Sequence, residues 1–233
     1  MSFNLFYADE MSEIYHVLNR GVDKRKVFLD DSDYFRFIHD LFEFNDEANA
    51  INNYRKYKLN DIASRSIKAP RKLLVNIHAF CLMPNHYHLL LSSNYDRGIS
   101  KFMKKVGIGY AKYFNAKYER VGALFQGRFK SKLLDSEAYF IHLPYYIHLN
   151  PLDLKFPEWR QRNLSNYKEA LKFLKSYRWS SHMDYLGIKN FPSVTQRDFL
   201  NDFFNGSDGY KLSIEDWLKN LELDFVNDSS LEK

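Results

Sequence analysis

The spacing of apolar residues along the first 150 positions predicts strands and helices in alternation. Alternating apolar and polar residues indicate a strand, and recurrence every three or four residues indicates a helix. The predicted strands are Ile14–Asn19, Leu73–Met83, His86–Ser92 and Leu124–Leu134. The predicted helices run from Ser32 to about Asn45, from Ile99 to about Tyr118, and from Ser136 to a stop at Pro151. Hairpins interleaved with helices favour an α+β fold with a mainly antiparallel sheet.

Capping and turn residues locate several boundaries. Pro84-Asn85 predicts the turn of a hairpin between the second and third strands. Ser32 or Asp33 can cap the first helix, and Ser136 can cap the third. The expected apolar stripe of the first helix is Phe35, Ile38, Leu41 and Phe42. A turn is expected at Arg20–Asp23, and the polar, basic segment Asn52–Arg71 is expected to form a loop or a short helix.

Two histidines separated by one residue, His86 and His88, lie on the third predicted strand. Residues i and i+2 of a strand point to the same face, roughly 6.6 Å apart along the chain, so both imidazoles can face one metal ion. Tyr87 and Leu89 then lie on the opposite face. By itself the pair fits two hydrogen-bonded histidines on a half-buried strand better than a metal site.

A second polar group lies near the end of the third predicted helix. Tyr146 and Asn150 are four residues apart, so they share one helix face. If that face meets the strand, the two histidines, the tyrosine and the amide supply one nucleophile and three neutral nitrogen or oxygen ligands. The alternative is an aromatic core helix in which Asn150 is only the residue before a proline.

Other histidines and a second tyrosine lie close to this group. Tyr145 points about 100° away from Tyr146 on a helix and is expected in the core or as a backup for it. His148 points about 200° away and is expected to face elsewhere. His142, one turn before Tyr146, is a proton relay or, more simply, a packed or solvent-facing histidine. His78 lies on the second strand and is expected in the core.

Basic residues concentrate in the middle of the chain, which has a net charge of +5. Residues 97–132 carry 10 Lys or Arg against one Glu, and residues 200–233 carry 8 acids against 3 Lys. This asymmetry predicts a DNA surface on one part of the molecule. Aromatic residues of the second helix are expected in the core rather than as stacking platforms. The predicted DNA contacts are Arg97, Lys101, Lys104, Lys105, Gln126, Arg128 and Lys130, although the alternation of the last three also fits a solvated strand face.

Composition excludes several other classes of protein. The single cysteine, Cys81, rules out an intramolecular disulfide and fits a reducing cytosol. We find no signal peptide and no apolar run long enough for a membrane span, so a cytoplasmic protein without membrane contact is expected. The sequence contains no phosphate loop of the Walker type, so use of a nucleoside triphosphate is not expected.

Five segments, in order, resemble the REP-associated tyrosine transposases, a branch of the HUH single-strand DNA endonucleases and transposases. The match extends from about Ile14 to Gly187 and leaves 52–71 and 189–233 uncovered. Asn85-His86-Tyr87-His88 is similar to the HUH signature, and Tyr146 to Pro151 to the tyrosine-helix motif. The other three segments are Tyr15 to Gly21, Leu124 to Lys130 and Trp179 to Gly187.

This resemblance implies a ferredoxin-like HUH fold over residues 1–157, followed by a partly helical extension over 158–233. It implies that Tyr146 attacks DNA and forms a 5′-phosphotyrosine link. His86, His88 and Asn150 would hold a divalent metal, and this ligand mixture admits Mg²⁺ or Mn²⁺, with Zn²⁺ as a further option. The expected partner is single-stranded or hairpin DNA, bound by a monomer or a homodimer.

The sequence therefore predicts a metal-dependent single-stranded DNA endonuclease and strand transferase. The alternative is a domesticated, catalytically inactive DNA-binding regulator on the same fold. An RNA-binding α+β domain fits less well, because it leaves the histidine strand and the tyrosine helix unexplained.

Overall fold

The computed structural model describes residues 14–48, 71–161 and 164–220 of the chain. The predicted loop or short helix at Asn52–Arg71 lies outside these residues, except for Arg71 itself. The last part of the acidic C-terminal segment, 221–233, also lies outside them. No helix in the described part of the chain is both long and apolar enough to cross a membrane.

Four strands form one sheet in the order β2-β3-β1-β4, and every neighbouring pair is antiparallel. The strands are β1 (Ile14–Arg20), β2 (Val75–Met83), β3 (His86–Ser93) and β4 (Lys130–Leu133). Helix α1 (Asp31–Glu43) follows β1, and helix α2 (Gly98–Lys117) follows β3. This succession of elements is that of the ferredoxin-like fold, so the predicted α+β class is confirmed.

The hairpin of β2 and β3 turns at Pro84-Asn85, as predicted, with Met83 paired to His86. The end of β1 meets this turn, because the N–H of Gly21 donates to the carbonyl oxygen of Asn85 at 2.9 Å. A Cβ atom at Gly21 would collide with the carbonyl oxygen of Arg25, so the close approach requires glycine. The chain then forms a short 3₁₀ turn at Val22–Lys24.

The prediction of one continuous strand over Leu124–Leu134 is wrong, because residues bulge out of it. Lys130 pairs with Leu18 of β1, whereas Phe125 forms a separate bridge to Gly21. Residues 126–129 therefore face only positions 19 and 20, and the alternation of side chains is interrupted. The side-chain amide of Asn19 donates to the carbonyl oxygen of Gly127 at 3.1 Å, inside this bulge. Gln126, Arg128 and Lys130 consequently do not share one strand face.

The two faces of the sheet carry separate hydrophobic cores. Helices α1 and α2 cover one face, where Val17, Tyr87 and Leu89 are buried with the apolar side of α2. Phe102, Tyr110 and Phe114 of α2 are buried there, which confirms them as core residues rather than exposed stacking platforms. Tyr87 and Leu89 thus lie opposite the face of His86 and His88, as the strand period predicted.

Helix α3 (Glu137–Leu149) covers the second face together with the C-terminal helices. Strand residues such as Cys81 and Leu90 are buried there with Tyr146, Phe204 and Tyr210. The C-terminal helices are α4 (Tyr167–Ser176), α5 (His182–Tyr185), α6 (Asp198–Phe204) and α7 (Gly206–Asn220). The division into units 1–157 and 158–233 stays a prediction, although both contribute to this one core.

Helix α1 begins slightly before the predicted position. Its cap is Asp30, which accepts from the N–H of Asp33, while the Asp33 carboxylate accepts from the N–H of Asp30. The predicted caps Ser32 and Asp33 were wrong because this reciprocal pair fixes the helix start. The predicted stripe also shifts, since Phe35 is exposed and Phe37 is buried. For α3, the predicted cap Ser136 is confirmed, because its side chain accepts from the N–H of Tyr139.

Candidate active site

Strand β3 presents His86 and His88 on the sheet face that α3 covers. Their rings are perpendicular, with centroids 4.9 Å apart, and both side chains are buried. Nδ1 of His86 lies 2.6 Å from Oδ1 of Asn85, an oxygen that can only accept. Nδ1 of neutral His86 therefore carries the proton, and Nε2 carries the lone pair.

A third histidine, His16 of β1, completes a row of imidazoles. Nε2 of His16 lies 2.9 Å from Nδ1 of His88, and the two rings are stacked with centroids 5.1 Å apart. Nδ1 of His16 lies 3.1 Å from the hydroxyl of Tyr139 on α3. The hydrogen bond to His16 engages Nδ1 of His88, so a metal ion would be bound through Nε2.

Burial keeps His88 neutral. The side chain is fully buried, and this burial, followed by the proximity of His86 and His16, lowers its pKa well below the usual range. A neutral imidazole is the form that binds a metal ion. The electrostatic environment of His88 therefore favours a ligand over a proton carrier at neutral pH.

Helix α3 places Tyr146 above these rings. The Tyr146 ring lies edge-on to His88 and His16, with centroids 5.6 and 6.3 Å away. On its other side, Nη1 and Nη2 of Arg160 lie 3.4 and 3.5 Å from the Tyr146 hydroxyl oxygen. The tyrosine is thus buried between a row of histidines and one guanidinium group.

Arg160 is held by Asp153, with Nη2 2.7 Å from Oδ2. Burial opposes the charge of Arg160, but the hydrogen bond to Asp153 and the neighbouring Tyr146 outweigh it and raise its pKa above the usual value. Arg160 stays charged over the whole physiological range. The tyrosine hydroxyl consequently lies beside a permanent positive charge.

Asn150 is the cap residue of α3, one turn after Tyr146, and its N–H donates to the Tyr146 carbonyl. This helical hydrogen bond places Asn150 on the same face as Tyr146, as predicted, and Asn150 is completely buried. Among the described residues, neither atom of its side-chain amide has a hydrogen-bond partner. A buried amide without a partner is costly, so the position fits a side chain whose oxygen is to bind a ligand.

The predicted metal ligands form a set of two imidazoles and one amide. Among the described residues, no three His, Cys, Asp or Glu side chains are grouped so that they could hold a metal ion. The predicted set differs in that its third member, Asn150, is an amide. Two imidazoles on one strand face and an orphaned buried amide on the covering helix fit a divalent ion that keeps open positions for water or phosphate.

Neighbouring residues have structural roles, as expected. Tyr145 stacks on Trp217 with ring centroids 4.9 Å apart, away from the histidines. His148 is buried between Ser181 and Tyr210, at 2.8 Å from each hydroxyl. His78 lies in the core, 2.9 Å from the hydroxyl of Ser92. The ring of His142 packs near that of Trp217, with centroids 5.3 Å apart, and the relay alternative stays a prediction.

The predicted DNA contacts on α2 lie on the helix that covers the opposite face of the sheet. Lys101 and Lys104 are exposed there. Arg97 precedes the helix, exposed, with Asp96 3.7 Å away. The ammonium group of Lys105 instead donates to the carbonyl oxygens of Asp46 and Ala48, at 2.5 and 2.9 Å. Lys105 therefore has a structural role in holding these carbonyl groups.

The remaining predicted contacts lie closer to the histidines. Gln126 and Arg128 are exposed in the bulge before β4, and Lys130 is exposed at the start of β4. Lys130 pairs with Leu18, two residues from His16. Exposed side chains thus follow the sheet edge next to the strand that carries the third histidine.

Sequence reasoning missed His16, Tyr139, Asp153 and Arg160. A signal existed for His16, because it is a histidine inside a predicted strand within one of the five matching segments. Its link to His88 depends on pairing between strands 72 residues apart, which spacing within one segment does not reveal. Arg160 lies in the second of two 3₁₀ turns, Asn150–Leu154 and Pro157–Gln161, which carry no periodic signal.

The comparison with protein-family models agrees with the predicted resemblance. The family model for IS200-like transposases matches residues 38–150, which include His86, His88, Tyr146 and Asn150. A solved structure of a REP-associated tyrosine transposase bound to a REP hairpin is similar over 80% of this chain and 87% of its own, with 13% sequence identity and a TM-score of 0.47. No curated protein matches the chain.

Proposed function

We propose that the protein is a metal-dependent endonuclease and strand transferase for single-stranded DNA, on the premise that residues 38–150 match the family model for IS200-like transposases. The observation that carries the proposal is the packing of α3 against β3. There a buried tyrosine lies against His88, with ring centroids 5.6 Å apart, and an orphaned amide follows one helical turn later.

In the proposed reaction, the Tyr146 oxygen attacks a phosphorus atom of DNA and the bond to the 3′-oxygen breaks. The phenolic proton passes to water, and the departing 3′-oxygen takes up a proton from water. The products are a 5′-phosphotyrosine link and a free 3′-hydroxyl. Because the new bond is also a phosphodiester, a 3′-hydroxyl can attack it in turn and rejoin strands without a nucleoside triphosphate.

His86, His88 and Asn150 would hold Mg²⁺ or Mn²⁺, and a bound ion would supply Lewis-acid polarisation of the phosphate. The protein's own contribution is to keep His88 neutral by burial, to fix Nδ1 of His86 and of His88 in hydrogen bonds, and to hold Tyr146 in a buried position. His16 and Asn85 are positioning residues in this proposal, since they act through the orientation of the two ligands.

The proposed substrate is a single strand next to a hairpin. Tyr146 is recessed, with 5% of its surface exposed. A phosphate can therefore reach it only on a flexible strand. The exposed basic side chains at the sheet edge, Arg128 and Lys130, and those on α2 are proposed to bind the flanking phosphates. Binding is then expected to weaken with salt as each phosphate contact releases counterions.

A covalent-capture experiment tests this proposal. The substrate is a pool of single-stranded oligonucleotides in which a hairpin is flanked by random sequence, labelled at the 3′ end, with the fully duplex form of the same pool as the matched control. We expect the label to migrate with the denatured protein only for the single-stranded pool and only with Mg²⁺ or Mn²⁺. Affinity for that pool should also exceed affinity for the duplex.

Two results would contradict the proposal. Absence of a covalent adduct under all metal conditions would remove the strand-transfer function. Equal or tighter binding of the duplex, again without an adduct, would favour the alternative of a catalytically inactive DNA-binding regulator.

A further inference from the structure

The side chain of Arg160 contacts the proposed nucleophile and is anchored from behind by a carboxylate. Nε donates to both carboxylate oxygens of Asp153, at 2.8 and 3.0 Å, and Nη2 donates to Oδ2 at 2.7 Å. Asp153 also accepts from the indole nitrogen of buried Trp159 at 2.6 Å. The guanidinium plane is therefore fixed before any substrate arrives.

One end of the fixed guanidinium faces the tyrosine. Among the described residues, Nη1 is hydrogen-bonded only to the Tyr146 hydroxyl, at 3.4 Å. The arginine side chain is 32% exposed, so a ligand can reach it. A phosphorus atom under attack must come within about 3–3.5 Å of the tyrosine oxygen. The non-bridging oxygens of that phosphate then lie next to the guanidinium group.

Building on the function proposed above, we propose that Arg160 is a catalytic residue that binds the scissile phosphate and neutralises the negative charge that builds on it while Tyr146 attacks. The guanidinium keeps its own protons throughout, while the tyrosine–phosphorus bond forms and the bond to the 3′-oxygen breaks. Its planar fork suits a phosphate better than a lysine does, because two parallel hydrogen bonds can form. Asp153 is the positioning residue that aims this fork.

A purely structural role for Arg160 makes different predictions. The guanidinium carbon also lies 5.1 Å from the Tyr146 ring centroid and 4.9 Å from that of Trp159, so the side chain packs on both rings. Loss of packing would slow the reaction whatever the charge of the substrate. Loss of phosphate binding would slow it only when the phosphate is charged.

The test crosses a protein variant with a substrate variant. Arg160→Met keeps an unbranched apolar stem, although a shorter side chain, and removes the charge. The substrate is the single-stranded oligonucleotide captured by wild type, made with either a normal phosphodiester or an uncharged methylphosphonate at the mapped cleavage position. Arg178→Met is the matched control, because Arg178 also packs on aromatic rings, 4.9 Å from Phe35 and 5.2 Å from Trp179.

We expect Arg160→Met to form the adduct about 100-fold more slowly than wild type on the phosphodiester. On the methylphosphonate the two proteins should differ by less than about 3-fold, which shows coupling between arginine and phosphate charge. Arg178→Met should match wild type on both substrates. If Arg160→Met does not fold, as judged by circular dichroism and hairpin binding, Arg160→Lys replaces it. We then expect a smaller loss of adduct-formation rate on the phosphodiester and no loss on the methylphosphonate.

The possible failures are distinguishable. If wild type forms no adduct, the proposed function fails and this inference fails with it. If wild type forms the adduct and the Arg160 variant reacts as fast, or is slowed equally on both substrates, only the inference about Arg160 is overturned.

Discussion

Burial and one or two fixed partners determine the charge and the hydrogen bonding of individual side chains in the proposed site. His88 is neutral because it is fully buried beside His86 and His16. The side-chain amide of Asn150 is buried with no hydrogen-bond partner among the described residues. Arg160 keeps its charge because Asp153 is bound to it. Neutral nitrogens, an orphaned amide and a fixed cation around one tyrosine suit phosphoryl transfer.

Replacing both strand histidines tests the proposed ligands. His86→Ala combined with His88→Ala removes two of three protein ligands, and water cannot replace them without a large loss of affinity. We expect Mn²⁺ affinity, measured by calorimetry, to fall by more than about 10-fold, and adduct formation to be lost. His39→Ala is the control, because its side chain is 59% exposed on α1. Unchanged Mn²⁺ binding and unchanged adduct formation in the double variant would contradict the metal site.

Four proposed site residues could be predicted from the sequence because they lie in pairs with a fixed local period. His86 and His88 are two apart on a strand, and Tyr146 and Asn150 are four apart on a helix. His16 and Arg160 could not be predicted in this way. They reach the site through strand pairing and through irregular turns, which have no local period.

At the scale of elements, α3 is held in place by a buried polar network. His148 on α3 is hydrogen-bonded to Ser181, whose hydroxyl oxygen also accepts from the N–H of Phe80 on β2 at 2.9 Å. Tyr210 of α7 connects His148 with His182 of α5, at 2.8 and 2.7 Å. The network joins the tyrosine helix to the sheet and to the C-terminal helices, and so determines the height of Tyr146 above the histidines.

Removing the Ser181 hydroxyl should weaken this connection. Ser181→Ala leaves a buried backbone N–H and a buried imidazole without their partner, which costs about 1–3 kcal/mol for each unsatisfied group. We expect the free energy of unfolding, measured in urea, to fall by about 2 kcal/mol or more. Ser176→Ala serves as the comparison, because its exposed hydroxyl donates to the Phe173 carbonyl and to no other group in the described part of the chain. It should change stability by less than about 0.5 kcal/mol. An equal effect of the two substitutions would contradict the role of the network.

Elements with a regular period could be predicted, and those set by long-range pairing could not. The strand β1, the β2–β3 hairpin and helices α2 and α3 lie within a residue or two of their predicted positions. The strand expected over Leu124–Leu134 is reduced to Lys130–Leu133. Its bulge depends on the separate bridge from Phe125 to Gly21 and on Asn19, which belong to a distant part of the chain.

At the scale of the whole molecule, buried histidines make stability depend on pH. Burial lowers the pKa of His78 to about 4 and, together with Lys175, that of His182 to about 3. In the unfolded chain both titrate near 6.5, so below that pH the unfolded state binds protons that the folded state does not. Each histidine then costs about 1.4 kcal/mol per pH unit. Asp40 acts in the opposite direction, because burial raises its pKa to about 6.

The histidines outweigh this carboxyl group, so stability should fall as the solution is acidified. Between pH 7 and pH 5 we expect the free energy of unfolding, measured in urea with a chelator present, to fall by at least about 2–3 kcal/mol. Burial also lowers the pKa values of His88 and His148, which add to the fall. Asp40→Asn should make the decline steeper, because it removes the opposing group. Stability that is constant or rises over this range would show that the two histidines are not buried in the neutral form.

The identity of the attacking residue tests the central claim most directly. The labelled single-stranded pool is incubated with wild type, Tyr146→Phe and Tyr145→Phe, and the adduct is digested and mapped by mass spectrometry. Tyr145 is the matched control because it neighbours Tyr146 but packs on Trp217. We expect wild type and Tyr145→Phe to carry a nucleotide on Tyr146, and Tyr146→Phe to bind the DNA without any covalent product. A nucleotide on another residue, or an adduct that survives in Tyr146→Phe, would contradict the assignment of Tyr146 as the nucleophile.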